Sequence, residues 1–389
     1  MTYDFDRVID RTGTFAAKYD ERVKNFGTND VIPLWVADMD FPTAQPVIDA
    51  LKKRAEEGIW GYTSRPDSYF EAICAWQERR NGWKIDPKRC SFALGVIPAI
   101  GAMIQYMTKP GDKILIQPPV YGDFFDIIQD NGRQVVSNYF IQQSDGSWKF
   151  DREDFAKKIK DVKMFLLCSP HNPLGIVWPR EDLEWMLNQC MDNGVILISD
   201  EIHSDLIFAG KHIPTASLSD TAAGYVISCI SGTKTFNMAG LQASTTVFPT
   251  VEQKEQFDRF WRNLEIHRNN AFSLIAMEAA FREGEEWLEQ LKTYLSGNFR
   301  FVAEYCAAHI PAIKARIPDA TYLMWLDCRD LHMSQQALNR FMIEKAHLGL
   351  SSGTGFAPEL EGFMRLNAAC PRATLQKAMD QLRAAVEAL

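Results

Sequence analysis

The 389-residue sequence predicts an α/β protein: a mostly parallel seven-stranded sheet with helices on both faces, joined to a smaller α+β domain. Two observations carry this expectation. Seven short apolar runs, Cys90–Leu94, Lys113–Gln117, Val135–Tyr139, Met164–Cys168, Val195–Ser199, Tyr225–Ile230 and Ser244–Phe248, are interleaved with helical patterns such as Pro98–Met107 and Arg180–Asp192. Apolar strands separated by helices belong to parallel sheets covered on both faces. The second observation is a change of pattern. Long helical tracts run from Val251 to about Arg282 and from Glu285 to about His309, and beyond Pro311 a few strands and one amphipathic helix remain. The expected division is a large domain over residues 46–285 and a small one from 1–45 with 286–389.

In chain order, residues 1–30 read as polar and irregular. Val31 to Pro42 is an extended apolar segment closed by Asp38, Asp40 and a proline. Pro46–Glu57 has the helical period, with Val47, Ile48, Leu51 and Ala55 on one face. Gly61–Pro66 is a loop, and Ser68 is the expected N-cap of a helix running through Trp76 to Arg80. The late strands are Lys314–Ile317, Tyr322–Asp327 and Phe363–Asn367, before a helix over Arg372–Leu389.

Composition narrows the function. A net charge of −8 argues against nucleic acid or an anionic membrane as partner. No apolar run is long enough to span a bilayer. The first residues lack the basic and apolar segments of a secretory signal. Of the eight cysteines, the closest pair, Cys74 and Cys90, is 16 residues apart, which is neither a zinc nor a disulfide pattern. The reducing cytoplasm is the expected compartment.

Several polar residues fall where strands should end, the place where open α/β sheets collect ligands. Lys234, in Ser231-Gly232-Thr233-Lys234, follows Tyr225–Ile230. An amine there can condense with an aldehyde, and pyridoxal 5′-phosphate (PLP) is the common biological one; a surface lysine is the alternative. Asp200 ends Val195–Ser199 and would pair a protonated pyridine nitrogen or cap a helix. Asn172, in Ser169-Pro170-His171-Asn172-Pro173-Leu174-Gly175, offers an amide to a ring oxygen or serves a rigid turn. Gly95, Val96 and Ile97 open a helix whose free N–H groups suit an anion, to which Ser231 and Thr233 would add hydroxyls. Tyr121 would stack on a ring or fill the core, and His203 reads as an orienting group. Arg365, among apolar neighbours, needs either a substrate carboxylate or a protein acid.

The order of Tyr121, Asn172, Asp200, Lys234 and Arg365 in their motifs resembles PLP-dependent enzymes of fold type I, the aminotransferase class I/II superfamily. The segments PLWVADMDFP, GYTSRP, SPHNPLG, SDEIHSDLIF and KTFNMAGL resemble, more narrowly, the MalY/PatB group of cystathionine β-lyases (C–S lyases). The resemblance runs from about residue 30 onward. It implies that Lys234 holds PLP, Asp200 pairs its ring nitrogen, Asn172 bonds its hydroxyl and Tyr121 stacks on it. Gly95, Val96, Ile97, Ser231 and Thr233 would cradle the phosphate, with His203 beside the cofactor. Tyr62 would reach the phosphate from a partner subunit, which implies a homodimer with sites at the interface. Arg365 would bind the carboxylate of an amino-acid substrate, near Ala37 and Asp38. The implied reaction is β-elimination from a cysteine S-conjugate to a thiol, pyruvate and ammonia, with Lys234, Asp200 and Tyr121 as its catalytic residues and no metal. An aminotransferase, or a PLP-binding protein acting through protein–protein contacts, are the alternatives. Gln242 departs from the broader pattern, which has an arginine there.

Overall fold

A computed structural model describes residues 1–389. Seven strands form one sheet: β1 (Cys90–Ala93), β2 (Lys113–Ile116), β3 (Gln134–Ser137), β4 (Met164–Cys168), β5 (Ile196–Asp200), β6 (Ile227–Ile230) and β7 (Ser244–Val247). They are the seven apolar runs, and they lie in the order β1-β7-β6-β5-β4-β2-β3. Their side chains alternate between two apolar clusters. Ile114, Ile116, Leu166 and Ile198 face one, with the helices Val96–Met107 and Asp123–Asp130 over them. Leu115, Phe165, Leu167 and Leu197 face the other. Burial on both faces is why these strands read as unbroken apolar runs rather than alternating ones.

The strands pair in parallel except at β7, which is antiparallel to both β1 and β6. The reason lies in the connection. Residues 231–243 hold only a helical turn, Gly232–Thr235, and a 3-10 turn, Ala239–Leu241, with no helix long enough to cross a sheet face. The chain therefore doubles back at the edge where β6 ends.

A second sheet follows late in the chain: β8 (Lys314–Ala315), β9 (Leu323–Asp327), β10 (Ser351–Ser352) and β11 (Phe363–Asn367), in the order β8-β9-β11-β10, antiparallel throughout. The helix Arg372–Glu387 buries Leu375, Ala378, Met379 and Leu382, spaced to form one face.

Local reading and structure differ at several places. Ser68 is not a cap; the helix Asp67–Asn81 begins one residue earlier, after Pro66 and without a side-chain cap. The tract from Val251 is two helices, Val251–Asn263 and Ser273–Glu283, because Glu265 adopts a left-handed φ of 56° that ends the first. Residues 1–30 contain two short helices, Ala17–Asp20 and Arg22–Phe26. A hairpin, Phe140–Gln142 with Trp148–Phe150, and the helix Gln335–Glu344 were not foreseen.

The two sheets meet at the turn carrying Asn172. The Gly175 carbonyl accepts from the N–H groups of Asp319 (2.9 Å) and Ala320 (3.0 Å). Gly175 has a φ of 64°, and a Cβ there would stand 2.5 Å from Pro318 Cβ. Gly175→Ala combines a left-handed penalty with a clash against the rigid Pro318 ring, so we expect a loss of about 3 kcal/mol, read as a lower urea midpoint at unchanged slope. An unchanged midpoint would show that the two segments part without cost.

Candidate active site

Because β6, β5, β4 and β2 are adjacent and parallel, their carboxyl ends lie side by side. Those ends deliver Lys234, Asp200, Asn172 and Tyr121 to one cavity of about 230 Å³. Gly95, Val96 and Ile97, at the start of the helix Val96–Met107, line its far side with Thr233. His203 and Ala37 complete the set of sequence candidates on the wall.

The turn Gly232–Thr235 is pinned at both ends. Ser231 Oγ accepts from the Thr233 N–H (3.1 Å) and donates to the Ala243 carbonyl (2.7 Å). Thr235 donates to Asp205 Oδ2 (2.9 Å), whose other oxygen accepts from Trp76 Nε1 (2.8 Å). Ser231 thus stands behind Thr233, its hydroxyl engaged within the chain, and does not line the cavity. Glu201 is also turned away, accepting from the Thr215 N–H and facing His212.

Burial sets the charges. Asp200 has no cation in contact; burial pushes its carboxyl up to about 7, against a hydrogen bond from the Ile202 N–H. Burial, and then the Arg365 charge, push the Lys234 amine down to about 8, opposed by Asp38, Asp123 and Asp200. His203 is pushed down to about 3 by burial, and its Nδ1 has no partner. Neutral imidazole is its state at ordinary pH.

Arg365, opposite Trp325 in β11, makes no ion pair. Its guanidinium donates to Asn172 Oδ1 (3.2 Å), the Trp35 carbonyl (2.9 Å) and Ser351 Oγ (3.3 Å), and Nε is buried without a partner. Burial lowers its pKa to about 10, which leaves it charged. The protein acid considered as its partner is absent; Arg365 does not itself line the cavity and meets it through Asn172, which does.

Residues 35–41 form a strap along the cavity. The Ala37 carbonyl accepts from Lys234 Nζ and from the Tyr322 hydroxyl, both at 2.7 Å. Asn367 Nδ2 donates to the carbonyls of Val36 (2.7 Å) and Asp38 (2.5 Å). Asn237 donates to those of Met39 (2.9 Å) and Phe41 (2.8 Å) and accepts from the Met39 N–H (2.9 Å). Asp38 itself does not reach the cavity, which corrects its expected place at the substrate. Its carboxylate pairs with Arg11 (2.7 Å) and faces the buried Lys18 (3.7 Å), because a strap acid with two cations beside it is held there. Tyr62 is likewise outside this chain's cavity: it is 89% exposed, with Arg268 stacked over its ring at 4.5 Å.

Sequence reasoning missed Asn237, Asn367, Tyr322, Asp205 and Asp123. Asn237 lies three residues after Lys234 and Asn367 two after Arg365, so proximity to those residues was the available signal. Asn367→Ala strands two carbonyls and the Ala369 N–H, which donates to Asn367 Oδ1 (2.8 Å). We expect it to cost about 3 kcal/mol in denaturant unfolding; a cost below about 1 kcal/mol would mean that the strap is held by other contacts.

The donor set fits PLP: an amine for the aldehyde, an unpaired buried carboxylate for the ring nitrogen, an aromatic face, and helix N–H groups for the phosphate. The family model for aminotransferase class I and II matches residues 29–382. The chain is 40% identical to cystathionine β-lyase PatB of Bacillus subtilis (strain 168), over 98% of this chain and 100% of that protein. It is 34% identical to MalY of Escherichia coli (strain K12), over the full length of both. The crystal structure of cystalysin from Treponema denticola, which contains a pyridoxal 5′-phosphate cofactor, superposes with a TM-score of 0.96 at 31% identity, covering 100% of each chain. The fold is therefore PLP-dependent fold type I, and the chain belongs to the aminotransferase class I and II family, in its PatB–MalY group of PLP-dependent enzymes.

Proposed function

We propose that this protein is a PLP-dependent carbon–sulfur lyase that cleaves cystathionine or related cysteine S-conjugates to a thiol, pyruvate and ammonia. The observation that carries the reading is the convergence of Lys234, Asp200, Asn172 and Tyr121 at four neighbouring strand ends, with Arg365 hydrogen-bonded to Asn172. The names of PatB and of a C–S lyase from Staphylococcus hominis, 31% identical over 99% of each chain with a TM-score of 0.89, support it.

PLP, when bound, supplies the electron sink for the pair left on the α-carbon. Arg365 holds the substrate carboxylate and so fixes which bond at the α-carbon faces Lys234. Lys234, with its pKa lowered to about 8, takes the α-proton as a neutral amine. With PLP bound, Asp200 would hold the ring nitrogen's proton by opposite charge, Asn172 would donate to the ring hydroxyl, and Tyr121 would offer its face to the ring. Thr233 and the N–H groups at Gly95 to Ile97 take the phosphate. The C–S bond breaks with its pair on sulfur, and the three-carbon remainder hydrolyses to pyruvate and ammonia. Residues 46–285 act as the cofactor-holding unit, and 1–45 with 286–389 as the unit that brings Arg365 and the strap.

The assembly is a homodimer in this reading. Ile59, Trp60 and Tyr62 are exposed together on one loop, a surface suited to a second copy. Tyr62 then reaches the partner's phosphate. No helix is long and apolar enough to cross a membrane, and the eight cysteines are free and buried, which supports a reducing cytoplasm.

Pyruvate and thiol release across a panel of cysteine S-conjugates tests the reaction. Lys234→Ala should lower kcat by about a thousandfold or more. For the parent enzyme, kcat should rise with pH and level off above about 8, as the amine loses its proton. Stoichiometric amino-group exchange with a 2-oxo acid, without pyruvate, would favour a transaminase instead.

Mixing Tyr62→Ala with Lys234→Ala tests the dimer. In the mixed pair one pocket has both intact residues and the other neither, so up to about half the activity returns. No recovery after verified subunit exchange, with Tyr62→Ala itself impaired, would place Tyr62 in its own chain's service.

A further inference from the structure

The cavity carries one charged group that the reaction above leaves without a task. Asp123 lies on its wall with Tyr121, Asp200 and Lys234. Its Oδ2 accepts the Tyr121 hydroxyl at 2.6 Å. Its other carboxylate oxygen accepts nothing, and no lysine, arginine or histidine comes within ion-pairing distance. The other charges are spoken for: Arg365 for the substrate carboxylate, Asp200 for the ring nitrogen, Lys234 for the α-proton. Both Lys234 and Arg365 feel the Asp123 charge, so it lies within the field of the reacting groups.

The carboxylate is also held in place. Gly122, between Tyr121 and Asp123, packs so closely on the loop Gly353–Gly355 that a Cβ would stand 2.5 Å from the Gly355 carbonyl oxygen. The Val120 N–H donates to the Phe356 carbonyl at 2.8 Å. The turn therefore has little freedom to swing Asp123 out to solvent. A fixed carboxylate in a partly desolvated cavity selects for a cation.

We infer that Asp123 is a specificity-determining residue that receives a second ammonium group, carried at the far end of the substrate beyond sulfur. The substrate's α-amine is engaged at the cofactor, so only a distal ammonium remains to meet this carboxylate. The inference rests on the lyase reading and names its substrate class: S-conjugates that are diamino acids, such as cystathionine, over those with an uncharged or purely anionic far end.

Two substrate pairs isolate that group. L-Cystathionine and S-(3-carboxypropyl)-L-cysteine differ only in the distal ammonium; S-(2-aminoethyl)-L-cysteine and S-propyl-L-cysteine are a nearly isosteric second pair. The parent holoenzyme should prefer the ammonium-bearing member of each pair in kcat/KM. In Asp123→Asn, whose amide oxygen still accepts from Tyr121, that ratio should fall by about tenfold or more. Tyr121→Phe keeps the carboxylate and should keep the ratio, although absolute rates drop. Calorimetry with PLP-loaded Lys234→Ala protein should show the same preference in affinity, without turnover.

Absence of a preference in the parent, or equal losses on both members of each pair in Asp123→Asn, would overturn the assignment and leave Asp123 as an orienter of Tyr121. A preference in affinity that Asp123→Asn abolishes, with no cleavage of any conjugate, would sustain Asp123 as an ammonium site while the lyase reading fails.

Discussion

Five successive carbonyls, Trp35 to Met39, each receive a donor from outside the strap, and this shared backbone is what the site depends on. Arg365 and Ser351 reach the first, Asn367 the second and fourth, Lys234 and Tyr322 the third, Asn237 and Arg11 the fifth. The strap is bent and half-buried from Trp35 to Asp38 and buried at Met39, so a carbonyl withdrawn from water there would cost a lost hydrogen bond if left unpaired. The donors that meet this requirement include the lysine and the arginine. Their separation is thus measured off one stretch of backbone, although one lies in the helical turn after β6 and the other in β11 of the second sheet, 131 positions apart in sequence (365 − 234).

The same desolvation that enforces the strap tunes the chemistry. Asp200 and Lys234 are both pushed toward neutrality, the acid up and the amine down, chiefly by burial. Neither is in direct ion-pair contact with the other. Each therefore gains from a bound group that supplies what water no longer does: a positive ring nitrogen for the acid, and a carbonyl carbon for the amine. Around the strap, by contrast, charges are neutralised within the chain. Arg11 and Lys18 close on Asp38 and Asp40 at distances down to 2.7 Å. Paired charges hold the scaffold, and unpaired ones line the cavity.

Two kinds of acid in one small region show how context decides role. Asp40 and Asp205 are buried and fully used by the fold, through Lys18 and through Trp76 and Thr235. Asp200 is as deeply buried and has only a backbone N–H, from Ile202, in contact with its carboxylate. No property of the residue type separates them. What separates them is that β5 ends with Asp200 at the cavity, whereas Asp205 lies beyond the turn that follows, beneath Trp76.

The sequence by itself determined the seven strands, because a strand buried on both faces must be apolar throughout, and that pattern is local. It determined the positions of Lys234, Asp200, Asn172 and Tyr121 for the same reason: each is the polar residue at or just after the end of such a run. Tertiary structure alone decided the direction of β7, the partners of Asp38, the retreat of Ser231 behind Thr233, and the place of Tyr62 outside the cavity. It also decided that Asn237 and Asn367 clamp the strap and that Asp123 shares the pocket. The partners of Asp38 and the clamping of the strap turn on contacts between residues 27 to 331 positions apart, such as Arg11 with Asp38 and Asn367 with Val36. Local periodicity carries which face is buried; it does not carry which charge on a distant segment arrives to neutralise it.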